Sequence, residues 1–162
     1  MRSKAVIVAG ILYCVTTTCC YCEPVKAVPA IQNEMVKAGE ALVRMAGDSW
    51  TNILKNLKGE QVPVEVQALE KTLGGDRIKA AQQLAYFMKG ANTNETCGYA
   101  SIAIFAYFNF TTQEIERATS EITASETSFP QGIVKEMLWM AQQQHPTNAS
   151  TVLPKDAPSG KQ

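Results

Sequence analysis

From Ile31 onward the apolar residues recur at steps of three and four: Ile31, Met35, Ala38, Leu42 and Met45, then Trp50, Ile53 and Leu57. That spacing is one face of a helix, and Val36, Val43, Ala46 and Leu54 widen the stripe enough to face a core. The period returns along the chain as Val62, Val66, Leu69 and Leu73, then Ile78, Ala81, Leu84, Ala85 and Met88. Ile115, Ala118 and Ile122 form a narrow stripe that suits a peripheral helix, and Ile133, Val134, Met137, Leu138 and Ala141 form a last one. No segment is a convincing strand. The pattern predicts an all-α chain, a single-domain helical bundle of five to seven helices over residues 23–146.

The punctuation agrees with that reading. Pro29 suits a first helical turn, where its missing N–H leaves no partner wanting. Gly47-Asp48-Ser49 breaks the first run, with Asp48 or Ser49 able to cap a second helix. Gly74-Gly75 can end a helix in the left-handed conformation, and Asp76 can cap the next over 77–89. Thr111-Thr112-Gln113-Glu114 has the spacing of a capping box. Residues 123–129 read as a polar connection. Residues 97–108 carry almost no charge and are predicted to form the central helix, with Ala100, Ala103 and Ala106 suited to close helix contact.

The N-terminus carries a different signal. Arg2 and Lys4 precede an apolar run over 5–15, and small and polar residues follow up to Cys22. This is the order of a secretory signal peptide, assigned to residues 1–22. The run is about half of the roughly twenty residues that span a bilayer, so no stable membrane insertion is expected. Of 15 basic residues, Arg2 and Lys4 lie in this leader, which leaves 13 against 15 acidic ones, a net charge of −2. Such a domain lacks the electrostatic footprint of a nucleic-acid binder. The polar, Pro-containing tail at 147–162 is expected to be disordered.

An extracellular destination changes how cysteine and asparagine are read. Four of five cysteines lie at or before Cys22, and the fifth is Cys97. Cleavage before Tyr21 leaves Cys22 able to pair with Cys97. Cleavage after Cys22 leaves Cys97 as a buried thiol or as the link of a disulfide-bonded homodimer. Three sequons, at Asn94, Asn109 and Asn148, are candidate glycan acceptors.

Chemistry-bearing patterns are few. His145 is the only histidine, with no Cys or carboxylate at metal-ligand spacing, so neither a metal nor a cofactor is assigned. Its place at a helix end suits an exposed capping role. No catalytic residue is nominated. The aromatic segment is the informative one: Tyr86, Phe87, Tyr99, Phe105, Tyr107 and Phe108 lie close together in sequence, with Phe110 beside them. They suit a packed core or a pocket for an apolar ligand. Trp50 and Trp139 are candidate anchors for a protein partner. The resulting expectation is a secreted, N-glycosylated, non-catalytic binding protein acting through a protein or cell-surface partner. The alternative is an extracellular carrier of a small, lipid-like apolar ligand.

Overall fold

The structure, a computed structural model, describes residues 26–47, 50–91 and 95–146, with backbone alone at 50–52 and 95–97. The leader at 1–22 and the tail at 147–162 lie outside the described residues. The described residues include seven α-helices and a 3-10 turn at Gly59–Gln61, and no strand occurs among them. They run α1 (Pro29–Ala46), α2 (Trp50–Asn56), the 3-10 turn (Gly59–Gln61), α3 (Val64–Leu73), α4 (Arg77–Ala91), α5 (Glu95–Phe108), α6 (Thr112–Ser125) and α7 (Gln131–Gln144).

Helix α4 holds the centre, in contact with α1, α3, α5, α6 and α7 and buried at every residue from Ala80 to Met88. Helix α5, expected from the sequence to be the central helix, packs against α1, α2 and α4 and leaves Tyr99 exposed. The small residues of α5 explain its place. Ala100, Ala103 and Ala106 are buried, and a Cβ added to Gly39 of α1 would stand 2.8 Å from the Ala100 Cα, closer than real side chains come. The two helices therefore touch nearly backbone to backbone. Phe105, Phe110 and Phe129 fill the core with Met35, Leu42, Leu69, Leu84 and Met137.

The helix ends follow local chemistry. Gly74 sits at φ 66° after α3, and its N–H donates to the Glu70 and Lys71 carbonyls. Asp76 Oδ1 accepts the Lys79 N–H at 3.0 Å, which caps α4. Val28 at the start of α1 has no side-chain cap. A distant residue takes that role: the Gln83 amide accepts the Val28 N–H at 3.0 Å and donates to the Lys26 carbonyl at 2.9 Å. Gln83 itself is buried on α4, so these bonds satisfy a polar group inside the core.

Helix α6 runs to Ser125, past the limit that its polar composition suggests. The Thr123 hydroxyl donates to the Thr119 carbonyl at 2.9 Å and Ser125 donates to Ile122 at 2.9 Å, so these side chains fold back on the helix. Phe129, assigned by sequence to a polar connection, is a core residue. It stands just before the Pro130 cap of α7, with Val134 at the fourth helical position. That is the pattern of a hydrophobic staple, and it is the sequence signal that identifies Phe129.

Candidate functional site

The α5–α6 turn gathers a network of polar interactions. Thr111 caps α6, accepting the Glu114 N–H at 3.2 Å, and Glu114 Oε2 accepts the Thr111 N–H at 2.8 Å and the Thr111 hydroxyl at 3.1 Å. The capping box is therefore complete. Arg77, at the start of α4, joins it. Its Nε donates to Glu114 Oε1, and its Nη2 donates to Glu114 Oε2 at 2.9 Å, to the Phe108 carbonyl at 3.1 Å and to the Asn109 carbonyl at 3.3 Å.

One guanidinium thus satisfies carbonyls left over at the end of α5 and the carboxylate at the start of α6. Arg77 also lies over the Phe110 ring, 5.3 Å from its centroid. The Arg77 hydrogen bond, aided by those from Thr111, holds the Glu114 carboxyl down at about 2 against some burial, and Glu114 in turn raises Arg77. The pair stays ionised across the physiological range.

Asn109 is the hinge of this turn. It alone among described non-glycine residues has positive φ, at 51°. Its N–H donates to the Phe105 carbonyl at 3.0 Å. Its own carbonyl accepts from Arg77 and, at 3.3 Å, from His145 Nε2. A carbonyl can only accept, so Nε2 carries the proton there. His145 is half-buried and ties the end of α7 to the α5–α6 turn, a tertiary role that its place at a helix end does not reveal. Asn109 Oδ1 is buried with no hydrogen-bond partner.

A second polar link joins α4 to the α6–α7 connection. Lys89 Nζ donates to Glu126 Oε1 at 2.5 Å, and the Tyr86 hydroxyl donates to Glu126 Oε2 at 3.2 Å. Tyr86 meets Phe129 edge to face at 5.4 Å. Burial first, and the Glu126 charge second, push the Tyr86 phenol up to about 12, while Lys89 lowers Glu126.

The aromatic residues singled out by sequence separate into three settings. Tyr86, Phe87 and Phe105 are buried, and Phe105 meets Phe110 edge to face at 5.5 Å. Tyr107 and Phe108 are half-buried, with Phe108 stacked on Phe110 at 5.4 Å. Tyr99 is 61% exposed and stands apart from that cluster, and Trp139 is 60% exposed on α7. The side chains of Trp50 and Cys97 lie outside the described residues, as do Cys22, Asn94 and Asn148.

Two open hollows share Glu70, and Tyr107 lines the second of them. One, of about 330 Å³, is lined by apolar Leu73, Ala80 and Phe108 and by charged Glu70, Asp76 and Arg77. The other, of about 610 Å³, lies over Leu57, Val62 and Gln67 and runs to the 3-10 turn. The Tyr107 hydroxyl donates to Glu70 Oε1 at 2.8 Å, and both hollows include Glu70. Burial first, and that hydrogen bond second, raise the Tyr107 phenol well above its usual range. Among the described residues no cluster of His, Cys, Asp and Glu could hold a metal ion, and no helix is long and apolar enough to cross a membrane. No protein-family model matches the chain, and no curated protein or solved structure matches it either.

Proposed function

We propose that the chain is a secreted, N-glycosylated, non-catalytic binding protein, a single-domain helical bundle released from its leader and acting through a protein or cell-surface partner. The observation that carries this reading is the use made of the aromatic segment. Phe105 and Phe110 pack on each other in the core, Tyr107 and Phe108 are half-buried beside two open hollows, and Tyr99 is exposed. A carrier of an apolar ligand needs an enclosed site that buries most of its cargo. Open hollows with mixed polar and apolar walls suit contact with a partner's surface instead. The displaced carboxyls, Glu114 and Glu126, are bound to Arg77 and Lys89 in links between helices, the use expected of structural ion pairs.

The test is the intact mass of the protein secreted from eukaryotic cells, after enzymatic removal of glycans. The expected result is a chain lacking the leader and carrying no adduct. Labelled secreted protein should then bind a cell surface or a protein partner, and Tyr107→Ala, which alters the lining of the second hollow and removes the bond to Glu70, should weaken that binding. A bound species of a few hundred daltons, lost on denaturation, would replace the partner reading with the carrier reading. A mass that retains residues 1–22 would overturn secretion.

A further inference from the structure

We infer that the sequon at Asn109 is a fold-gated glycan acceptor, open to the transferase in the unfolded chain and closed once α5 and α6 are joined. The inference deepens the secreted, glycosylated reading above and rests on it. Its basis is that the fold fixes the sequon's backbone and engages its hydroxyl, although the Asn109 side chain is half-buried and Thr111 is exposed. Asn109 is fixed at φ 51° with its backbone N–H and carbonyl both engaged, and its Oδ1 is buried. Phe110 is fully buried beneath the Arg77 guanidinium. The Thr111 hydroxyl accepts from the Glu114 N–H and donates to the Glu114 carboxylate.

Glycan transfer makes demands that this arrangement cannot meet. The carboxamide nitrogen is a weak nucleophile because its lone pair is shared with the carbonyl. It must be turned toward the donor while the enzyme holds the hydroxyl two residues on. The Asn109 Nδ2 then bonds to the anomeric carbon of a lipid-pyrophosphate oligosaccharide. The bond from that carbon to the pyrophosphate oxygen breaks, the lipid pyrophosphate leaves with the electron pair, and one Nδ2 proton is lost to solvent. In the folded protein the Thr111 hydroxyl is engaged in the cap, and the peptide on either side of Phe110 cannot turn without pulling that ring from the core.

Chain order supplies the opening. Arg77 precedes the sequon, but Glu114 and the rest of α6 come after it, and His145 lies 36 residues further on. A chain entering the secretory compartment N-terminus first presents Asn109 before the groups that close it have arrived. Occupancy of this site is therefore decided before α6 is capped, and the folded protein no longer accepts a glycan there.

The test uses the full chain made without glycans, offered to purified oligosaccharyltransferase with a lipid-pyrophosphate oligosaccharide. Folded wild type is compared with Leu42→Asp, whose buried charge should unfold the chain while leaving the sequon intact; circular dichroism establishes both states. A short Asn-Phe-Thr peptide in each reaction establishes that enzyme and donor are active. Peptide mass spectrometry reads the product at Asn109. Transfer at least tenfold faster to Leu42→Asp than to wild type is expected. A smaller ratio overturns the inference, as does an unfolded chain left unmodified while the control peptide is used. Failure of the secreted reading shows separately, as residues 1–22 retained on the protein made in eukaryotic cells.

Discussion

Helix α5 meets α1 through Ala100 and meets α6 through Asn109, and these two contacts are made of different chemistry. At Ala100 a single methyl group faces Gly39, which carries none, and the two backbones come together in an apolar seam. At Asn109 the chain reverses under a guanidinium, a capping carboxylate and an imidazole, with only Phe110 buried below. The first contact depends on shape, so it should be intolerant of volume and indifferent to pH. The second depends on charge and hydrogen bonds. It should tolerate volume better and fail in acid.

The largest effect should come from the core that both contacts share. Phe105 is fully buried and leans on Phe110, so Phe105→Ala should cost about 3–5 kcal/mol in urea unfolding. A cost below about 1 kcal/mol would mean that α5 does not organise either contact. Next is Gly39→Ala, which adds one methyl group to the seam. Overpacking of this kind costs about 1–3 kcal/mol. Ala100→Gly made in the same chain should recover part of the loss, because the new methyl would then face a gap. If Gly39→Ala is neutral, the close approach is not a constraint and the contrast fails on that side.

The seam was legible in the sequence and the turn largely was not. Ala100, Ala103 and Ala106 within an uncharged run suggest close helix contact, and the three-four spacing of Ile31 to Leu42 marks the face that meets it. The capping box was legible too, since Thr111 and Glu114 are three residues apart. Arg77 is 37 residues from Glu114, and nothing in its neighbourhood announces that pairing. The same holds for Gln83, which ties down the chain before α1, and for His145 on the Asn109 carbonyl. Local periodicity reports which face is apolar. It carries no record of which long polar side chains will meet across the fold. Tyr99 shows a related limit: an aromatic in an apolar helix has no sequence mark that distinguishes a core position from an exposed one.

Acid should separate the two contacts. Glu114 titrates at about 2 in the folded protein, below its ordinary value of 4.5. A carboxyl depressed on folding adds stability above its unfolded pKa and loses it as pH falls through the folded one. Stability should therefore decline between about pH 4.5 and 2, and Glu114→Gln should flatten that part of the curve. At pH 7 the same substitution should cost about 1 kcal/mol, since Gln keeps the cap but loses the charge that Arg77 pairs with. Gly39→Ala should leave the shape of the pH curve as it is. Equal acid slopes in wild type and Glu114→Gln would remove the charge from the account of the turn.

The smallest effect tests the backbone of the turn alone. A residue other than glycine held in the left-handed region is strained by about 1–2 kcal/mol, less for asparagine, whose short side chain suits that conformation. Asn109→Ala should therefore cost about 1 kcal/mol, the strain of a Cβ at φ 51° without the accommodating side chain. Asn109→Gly keeps the N–H and carbonyl that bond Phe105, Arg77 and His145. It relieves the strain and removes a buried, unpartnered Oδ1, so it should fall between neutral and about 1 kcal/mol more stable. The order Gly, Asn, Ala in thermal midpoint is the expected outcome. If glycine instead proves the least stable of the three, the Asn109 side chain does more than occupy the turn, and its buried oxygen has a partner that matters to the fold.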